Sequence, residues 1–440
     1  MAVIAGETRG FQELKRTHPE LHSSISSLFE EITTIRRDLH AHPELSFQET
    51  RTAGIVADLL RRWGYKVQEH VGKTGVVGLL ESGKAGPVFG LRADMDALPM
   101  EDEIEKEYRS QNAGAAHTCG HDAHTAILLG VAKLFADKGL PSGSLKVIFQ
   151  PAEEIGEGAA AMIEDGVLAN PKVDAMAGLH VHPTLKTGEF SVTTAEYSCA
   201  AVDIFELKVT GKGGHAAHPH QTVDPIMISA QVLVSLQQIV SRQTDPLDSV
   251  VLSFGQIEAG SKATIIPNTV LVKGTVRTLK PETRQLMPER IEAIAKGIAR
   301  SFGGDCELDY QFVTPSIKID AEMRGLLKDA IGELYGERAL KISAPSMGGE
   351  DFAYFSQEVP SVFFRLGTEN GKDTAYPNHN SRFDVDEQSF LYGISVLSLL
   401  ASNYLKQTEG KKDEKKSMGI NAEFGSRVGR MFRRRRKRRG

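Results

Sequence analysis

Residues 117–154 read "HTCGHDAHTAILLGVAKLFADKGLPSGSLKVIFQPAEE". The stretch from Thr125 to Gly139 has the apolar spacing of an amphipathic helix, with Gly139 at its end. "SLKVIFQ" then reads as a short buried strand. Three histidines, a cysteine and an aspartate crowd the start of the helix, and two glutamates follow the strand. A helix leading into a continuous apolar strand is the repeating unit of a largely parallel sheet covered on both faces.

The same rhythm extends in both directions. Residues 24–63 are helical in pattern, interrupted at Pro43, and "TGVVGLLES" and "PVFGLRAD" are strand-like. After residue 154 come a helix through "GAAAMIEDG" and the strand "VDAMAGLHV". From about 196 to 312 the order becomes β-α-β-β-α-β, that of a ferredoxin-like unit, before helices and the strand "SVFFRLGT" resume the first rhythm. The fold expected is α/β: one discontinuous domain with a mixed, largely parallel sheet and helices on both faces, in segments 1–195 and 313–408. A ferredoxin-like α+β domain (196–312) is inserted between them, and a basic tail (409–440) follows.

An apolar fraction of 40% over 440 residues is ample for two cores. The longest apolar runs fall well short of the roughly 20 residues that span a bilayer, and the N-terminus lacks a signal pattern, so the expectation is a cytoplasmic protein without a membrane partner. Cys119, Cys199 and Cys306 form no CxxC pair, which excludes a disulfide framework and a four-cysteine zinc site. Residues 411–440 carry 13 Lys/Arg against 3 Asp/Glu, so a formal charge of −5 for the whole chain leaves −15 on the rest. An acidic body argues against nucleic acid as a partner. The tail reads either as a contact for polyanions or membrane surfaces, or as a disordered extension.

In an open parallel sheet, ligands gather beyond the carboxyl ends of the strands. Asp94 closes "PVFGLRAD", Glu153 and Glu154 follow "SLKVIFQ", His180 lies in the next strand, and His379 follows "SVFFRLGT". Cys119 and His121 belong to the same rim. Imidazole, carboxylate and thiolate together are ligands of divalent transition metals. Neighbouring glutamates on an extended segment point apart, so one can ligate while the other stays free as a base. A divalent ion makes water ionisable near neutral pH, and such a base can carry its proton to a leaving amine. The rival reading, a Cys119 nucleophile paired with His117 or His121, leaves Glu153, Glu154, His180 and His379 without a role. Histidines that merely satisfy loops are a third reading, adequate for any one of them.

"RRDLHAHPELSFQE", "LRADMDALPM", "HTCGHDAHTAILLG", "VIFQPAEEIGEGA", "GLHVHP", "GKGGHAAHPH", "MGGEDFAYF" and "PNHNSRFDVDE" together resemble the amidohydrolase branch of the M20 metallopeptidase family, over about residues 30–405. The resemblance implies two divalent metal ions (zinc, manganese, cobalt or nickel) held by Cys119, His121, Glu154, His180 and His379, with Cys119 bridging. It implies Glu153 as general base, Asp94 as the aspartate that orients a ligand, and Arg92 where other branches carry histidine. The inserted domain then corresponds to a lid through which relatives form dimers or tetramers. His215 would polarise the scissile carbonyl, and Asn268 and Arg277 would hold the substrate carboxylate. His40, His42, His182, His218 and His220 read as structural, and Glu350 and Asp351 as residues favouring a helix N-terminus.

The activity implied is hydrolysis of the amide of a small N-acyl-L-amino acid, as in aminoacylases and hippurate hydrolases. A dipeptidase or carboxypeptidase using the same chemistry is the alternative within enzymes, and a catalytically silent small-molecule binder the alternative outside them.

Overall fold

The computed structural model describes residues 9–406, so the basic segment 409–440 lies outside the described residues. Three helices open the chain: α1 (Arg9–Thr17), α2 (Pro19–Ala41) and α3 (Thr50–Arg62). Pro43 falls in the turn between α2 and α3, where Glu44 accepts hydrogen bonds from the backbone N–H groups of Arg51 and Thr52 in the first turn of α3. Strands β1 (Lys66–Val71), β2 (Gly75–Glu81) and β3 (Val88–Asp94) follow, then α4 (His121–Lys138), β4 (Ser144–Gln150), α5 (Gly158–Glu164), β5 (Ala175–Lys186) and β6 (Phe190–Thr193).

The inserted unit comprises β7 (Ala201–Thr210), β8 (Gly214–His215), α6 (Pro225–Arg242), β9 (Val250–Ala259), β10 (Ile265–Ile266), β11 (Thr269–Thr278), α7 (Pro281–Ser301) and β12 (Asp305–Thr314). The chain then returns through α8 (Ala321–Tyr335), β13 (Leu340–Ser343), α9 (Phe352–Glu358), β14 (Ser361–Glu369) and a last helix, α10 (389–406).

The large sheet has the order β1-β2-β4-β3-β5-β14-β6-β13. Its centre, β4-β3-β5-β14, is parallel throughout, and β6 and β13 pair in parallel, while β1/β2, β2/β4 and β14/β6 are antiparallel. Every residue of β3 is buried, which is what a continuous apolar strand covered on both faces requires. The second sheet, β12-β7-β11-β9, is antiparallel. Its strand β7 alternates buried with more exposed positions, because only one face packs on α6 and α7. Its core is separate, built from residues such as Phe205, Leu207, Val232, Leu236 and Ile291.

The reading of the sequence found the central strands but missed the short internal β6 and the two margins. Strand β1, with polar residues at most positions, and the four-residue β13 are edge strands, half exposed to water and so weakly marked by hydrophobic pattern. The two-residue pair β8/β10 stands outside both sheets.

A charged cluster around Arg36 is buried. The Arg36 guanidinium on α2 donates to Asp122 in the first turn of α4 at 2.7 Å and to Asp384 at 2.9 Å, tying three distant segments together behind the sheet's rim. Removing one partner of such a group strands the others in a medium of low polarity, at a cost of about 3–5 kcal/mol. Arg36→Leu is therefore expected to lower the urea midpoint of unfolding, read by circular dichroism, by an amount matching that loss.

Candidate metal centre

The rim is built by three local devices. Gly120 precedes α4 with φ of 94°, and a Cβ there would stand 2.3 Å from Cγ2 of Val181. Only glycine fits that turn, which carries Cys119 and His121 to the same side of the strand ends. Ala152 takes a left-handed conformation (φ 52°), one that costs a non-glycine residue of order 1–3 kcal/mol. Its N–H is held by Glu49 at 2.9 Å, and this bend delivers Glu153 and Glu154 to the rim. His379 is also left-handed (φ 66°), pinned by its own N–H donating to the Thr118 carbonyl at 2.8 Å.

The side chains so delivered converge. Sγ of Cys119 is 3.4 Å from Nε2 of His180, and Nε2 of His121 is 3.8 Å from Oε1 of Glu154 and 3.9 Å from Oε2 of Glu153. Nε2 of His379 is 3.6 Å from Oε2 of Glu154. Cys119, His121 and His180 form one group of mutually close donor atoms and Cys119, Glu154 and His379 another, with Cys119 common to both.

Both ring orientations suit cation binding. Nδ1 of His121 donates to the Asp96 carbonyl at 2.9 Å, and Nδ1 of His180 to the Val181 carbonyl at 2.7 Å, which leaves each Nε2 lone pair facing the cluster. Nε2 of His121 and Oε1 of Glu154 are buried without a hydrogen-bond partner. Buried polar atoms are seldom left so, and a cation between them would satisfy both. The mixed sulfur, nitrogen and oxygen donors fit borderline transition-metal ions.

Burial pushes the Cys119 thiol well above its ordinary value. A nucleophilic cysteine needs the opposite, which weighs against the thiol-nucleophile reading. Burial, reinforced by the charges of Glu350 and Asp351, also raises Glu153 well above the usual carboxylate range, and the Asp351 N–H reaches its Oε1 at 3.4 Å. A carboxylate whose proton affinity is raised in this way is suited to accepting and returning a proton.

Other expected residues lie elsewhere. Asp94 accepts from Nδ1 of His124 at 2.6 Å and from Arg92 at 2.7 Å, and stays 3.7 Å from Nε2 of His121. The carboxylate that holds His121 is Asp96, which the sequence reading passed over. Asp96 also accepts from the N–H groups of Glu153 and Glu154 at 3.1 Å each and from the Ser46 hydroxyl at 2.7 Å. Its signal was its position: the first acidic residue past the end of the same strand.

Arg92 is buried and also donates to Glu350 and Asp351 at 3.0 and 2.9 Å. Those two acids accept from the Phe352 and Ala159 N–H groups, so each lies at a short helix's start as well as beside Arg92. His40 is buried against Asp122 at 2.7 Å.

A cavity of about 580 Å³ opens over the cluster, between the two sheets. Cys119, Glu153, Glu154, His180 and His379 line it from the large sheet's side, and Arg277 from the inserted unit. His215 and Asn268 do not line it. His215 is exposed in the β8/β10 pair, and the Asn268 side chain accepts from the neighbouring Gly213 N–H at 2.8 Å.

The sequence model of peptidase family M20/M25/M40 matches residues 90–403. An N-acetyl-L-cysteine deacetylase of Bacillus subtilis is 37% identical over 88% of this chain and 92% of that protein. Thermostable carboxypeptidase 1 of Saccharolobus solfataricus is 38% identical over 88% of this chain and 98% of that protein. The crystal structure of the Bacillus subtilis YXEP protein, a dinuclear metal-binding peptidase from the M20 family, superimposes with a TM-score of 0.77 at 32% identity, covering 87% of this chain and 99% of that one.

Partners that orient a ligating histidine typically account for a 10- to 100-fold change in metal affinity. Asp96→Ala should weaken binding of zinc or manganese by about that factor, measured by competition against a chromophoric chelator.

Proposed function

The chain belongs to peptidase family M20/M25/M40, in its amidohydrolase branch, and on that premise we propose that it hydrolyses the amide bond of N-acyl-L-amino acids to a carboxylate and a free amino acid. The observation that carries this reading is the convergence of two donor groups sharing Cys119 on a cavity that also holds Glu153. In this proposal Cys119, His121, Glu154, His180 and His379 hold two divalent ions, zinc, manganese, cobalt or nickel. Bound there, such ions supply a Lewis acid for the scissile carbonyl and make water ionisable near neutral pH.

The rest falls to the chain's own groups. Glu153 accepts the proton of the attacking water at a carboxylate oxygen and delivers it to the leaving amine nitrogen. The Asp351 N–H steadies Glu153, and Asp96 fixes both the His121 ring and the backbone that presents Glu153 and Glu154. Arg277, on the opposite wall, binds the α-carboxylate, for which its planar fork is suited.

His215 and Asn268 stand together outside the cavity of their own chain. Their proposed work, supporting the oxyanion and holding the substrate carboxylate, therefore requires closure of the inserted unit as a lid or docking of a second copy through that unit. The proposed domain limits are those of the sequence reading, with 196–312 as the lid. No described helix is long and apolar enough to cross a membrane.

Acetyl-methionine, hippurate, an indole-acetyl amino acid and a dipeptide form a sufficient substrate panel, assayed before and after chelation. Hydrolysis of an N-acyl amino acid that chelation abolishes and zinc, manganese or cobalt restores is the expected result. A preference for the dipeptide would transfer the chain to the peptidases, and turnover that survives chelation would sink the metal reading. Glu153→Gln should reduce kcat by at least about 10²-fold while the metal content per chain, read by plasma mass spectrometry, stays unchanged.

A further inference from the structure

Two guanidinium groups line the cavity, and among the described residues neither forms an ion pair: Arg277 on β11 and Arg365 on β14. Three other arginines withdrawn from water close on carboxylates, whereas the half-buried Arg324 donates to the Thr194 and Ala195 carbonyls. Arg36 meets Asp122 and Asp384, Arg92 meets Asp94, Glu350 and Asp351, and Arg284 meets Asp203. Burial holds Arg277 below its ordinary value, as expected of a cation that has lost water without gaining a close counter-ion.

Arg365 follows Phe363 on the same side of β14, and both line the cavity. It pairs in register with His180 of β5 and with Ser191 of β6, one strand from the donor cluster. Its charge acts on Cys199 and His182. With Cys199, Ser198, Ser343 and Phe363 it also lines a small recess adjoining the cavity, where hydroxyl donors accompany the guanidinium.

The acidic residues of the cavity are already engaged. Glu350 and Asp351 are balanced by Arg92, and Glu153 and Glu154 face His121. One unpaired guanidinium answers the α-carboxylate that every N-acyl amino acid carries. The second has no use in a substrate with a single carboxylate.

We propose that the substrate is an N-acyl amino acid bearing a second carboxylate, on the amino-acid side chain or on the acyl group, and that Arg365 is the residue that selects it. The inference rests on the amidohydrolase reading above. A bidentate carboxylate takes both hydrogen bonds that the fork of the partly buried Arg365 is shaped to donate, whereas a neutral group in its place leaves the charge unanswered. Sites built around such a pairing reject the uncharged analogue strongly, and a discrimination on the order of 10²-fold in kcat/KM is expected.

The test compares matched pairs on the metal-loaded full chain: N-acetyl-L-glutamate against N-acetyl-L-glutamine, and N-succinyl-L-methionine against N-butyryl-L-methionine. One pair should favour the dicarboxylate by about 10²-fold, and which pair does so locates the second carboxylate. In Arg365→Gln that ratio should fall to near one, and in Arg365→Lys to an intermediate value. Taking a ratio within each variant removes any general loss of activity. Calorimetric binding of the same pairs to the metal-loaded Glu153→Gln protein gives a readout that needs no turnover and should show the same preference. Ratios near one in the unmodified protein, or a preference that survives Arg365→Gln, overturn the proposal and leave the amidohydrolase reading standing. Failure of all four compounds to bind or react overturns both.

Discussion

The carboxylate of Asp96 is the constraint on which the site depends. It reaches the ring of His121 at the start of α4, the N–H groups of Glu153 and Glu154 after β4, and the Ser46 hydroxyl beyond α2. Three loops from separate parts of the chain thus share one buried acceptor. An acidic group that accepts several hydrogen bonds stays ionised despite burial, and Asp96 is indeed held below the usual carboxylate range, with His121 and Ser46 among the donors that offset burial. The proposed ligands His121 and Glu154 therefore inherit their positions from this hydrogen-bond network.

Around that anchor the chain manages a high density of negative charge. Asp94, Glu350 and Asp351 surround Arg92, which replaces solvent as their counter-ion. Arg36 does the same for Asp122 and Asp384 one layer behind. Breaking such pairs is far costlier than never having built them, so these clusters specify an arrangement as much as they stabilise it. The left-handed backbones of Ala152 and His379 belong to the same economy, since local strain persists only where surrounding hydrogen bonds over-determine the conformation.

The cavity is a product of two sheets with different covering. The large sheet, parallel at its centre, offers the carboxyl ends of its strands, and the inserted sheet contributes Val202, Ile204 and Arg277 from strands whose other face packs on helices. The donor atoms stand on the large sheet and Arg277 on the inserted unit, so any movement of that unit would alter the distance between Arg277 and the cluster.

The sequence by itself indicated the central strands, the inserted β-α-β-β-α-β unit and the grouping of Cys119, His121, Glu153, Glu154, His180 and His379, because these lie in or beyond apolar strands or at the helix start beside them, and strand ends in a parallel sheet share one rim. It did not mark β1 or β13, whose edge positions carry little hydrophobic pattern. Only the tertiary structure decided that Asp96 rather than Asp94 holds His121, since the two aspartates are two residues apart and their partners come from α4 and the loop after β4. Only the structure set His215 and Asn268 apart from the cavity and placed Arg365 on its wall, without an ion pair among the described residues. Hydrophobic period fixes which face of a strand is buried, but the partner of a polar side chain is fixed by segments remote in the chain, and no local pattern carries that information.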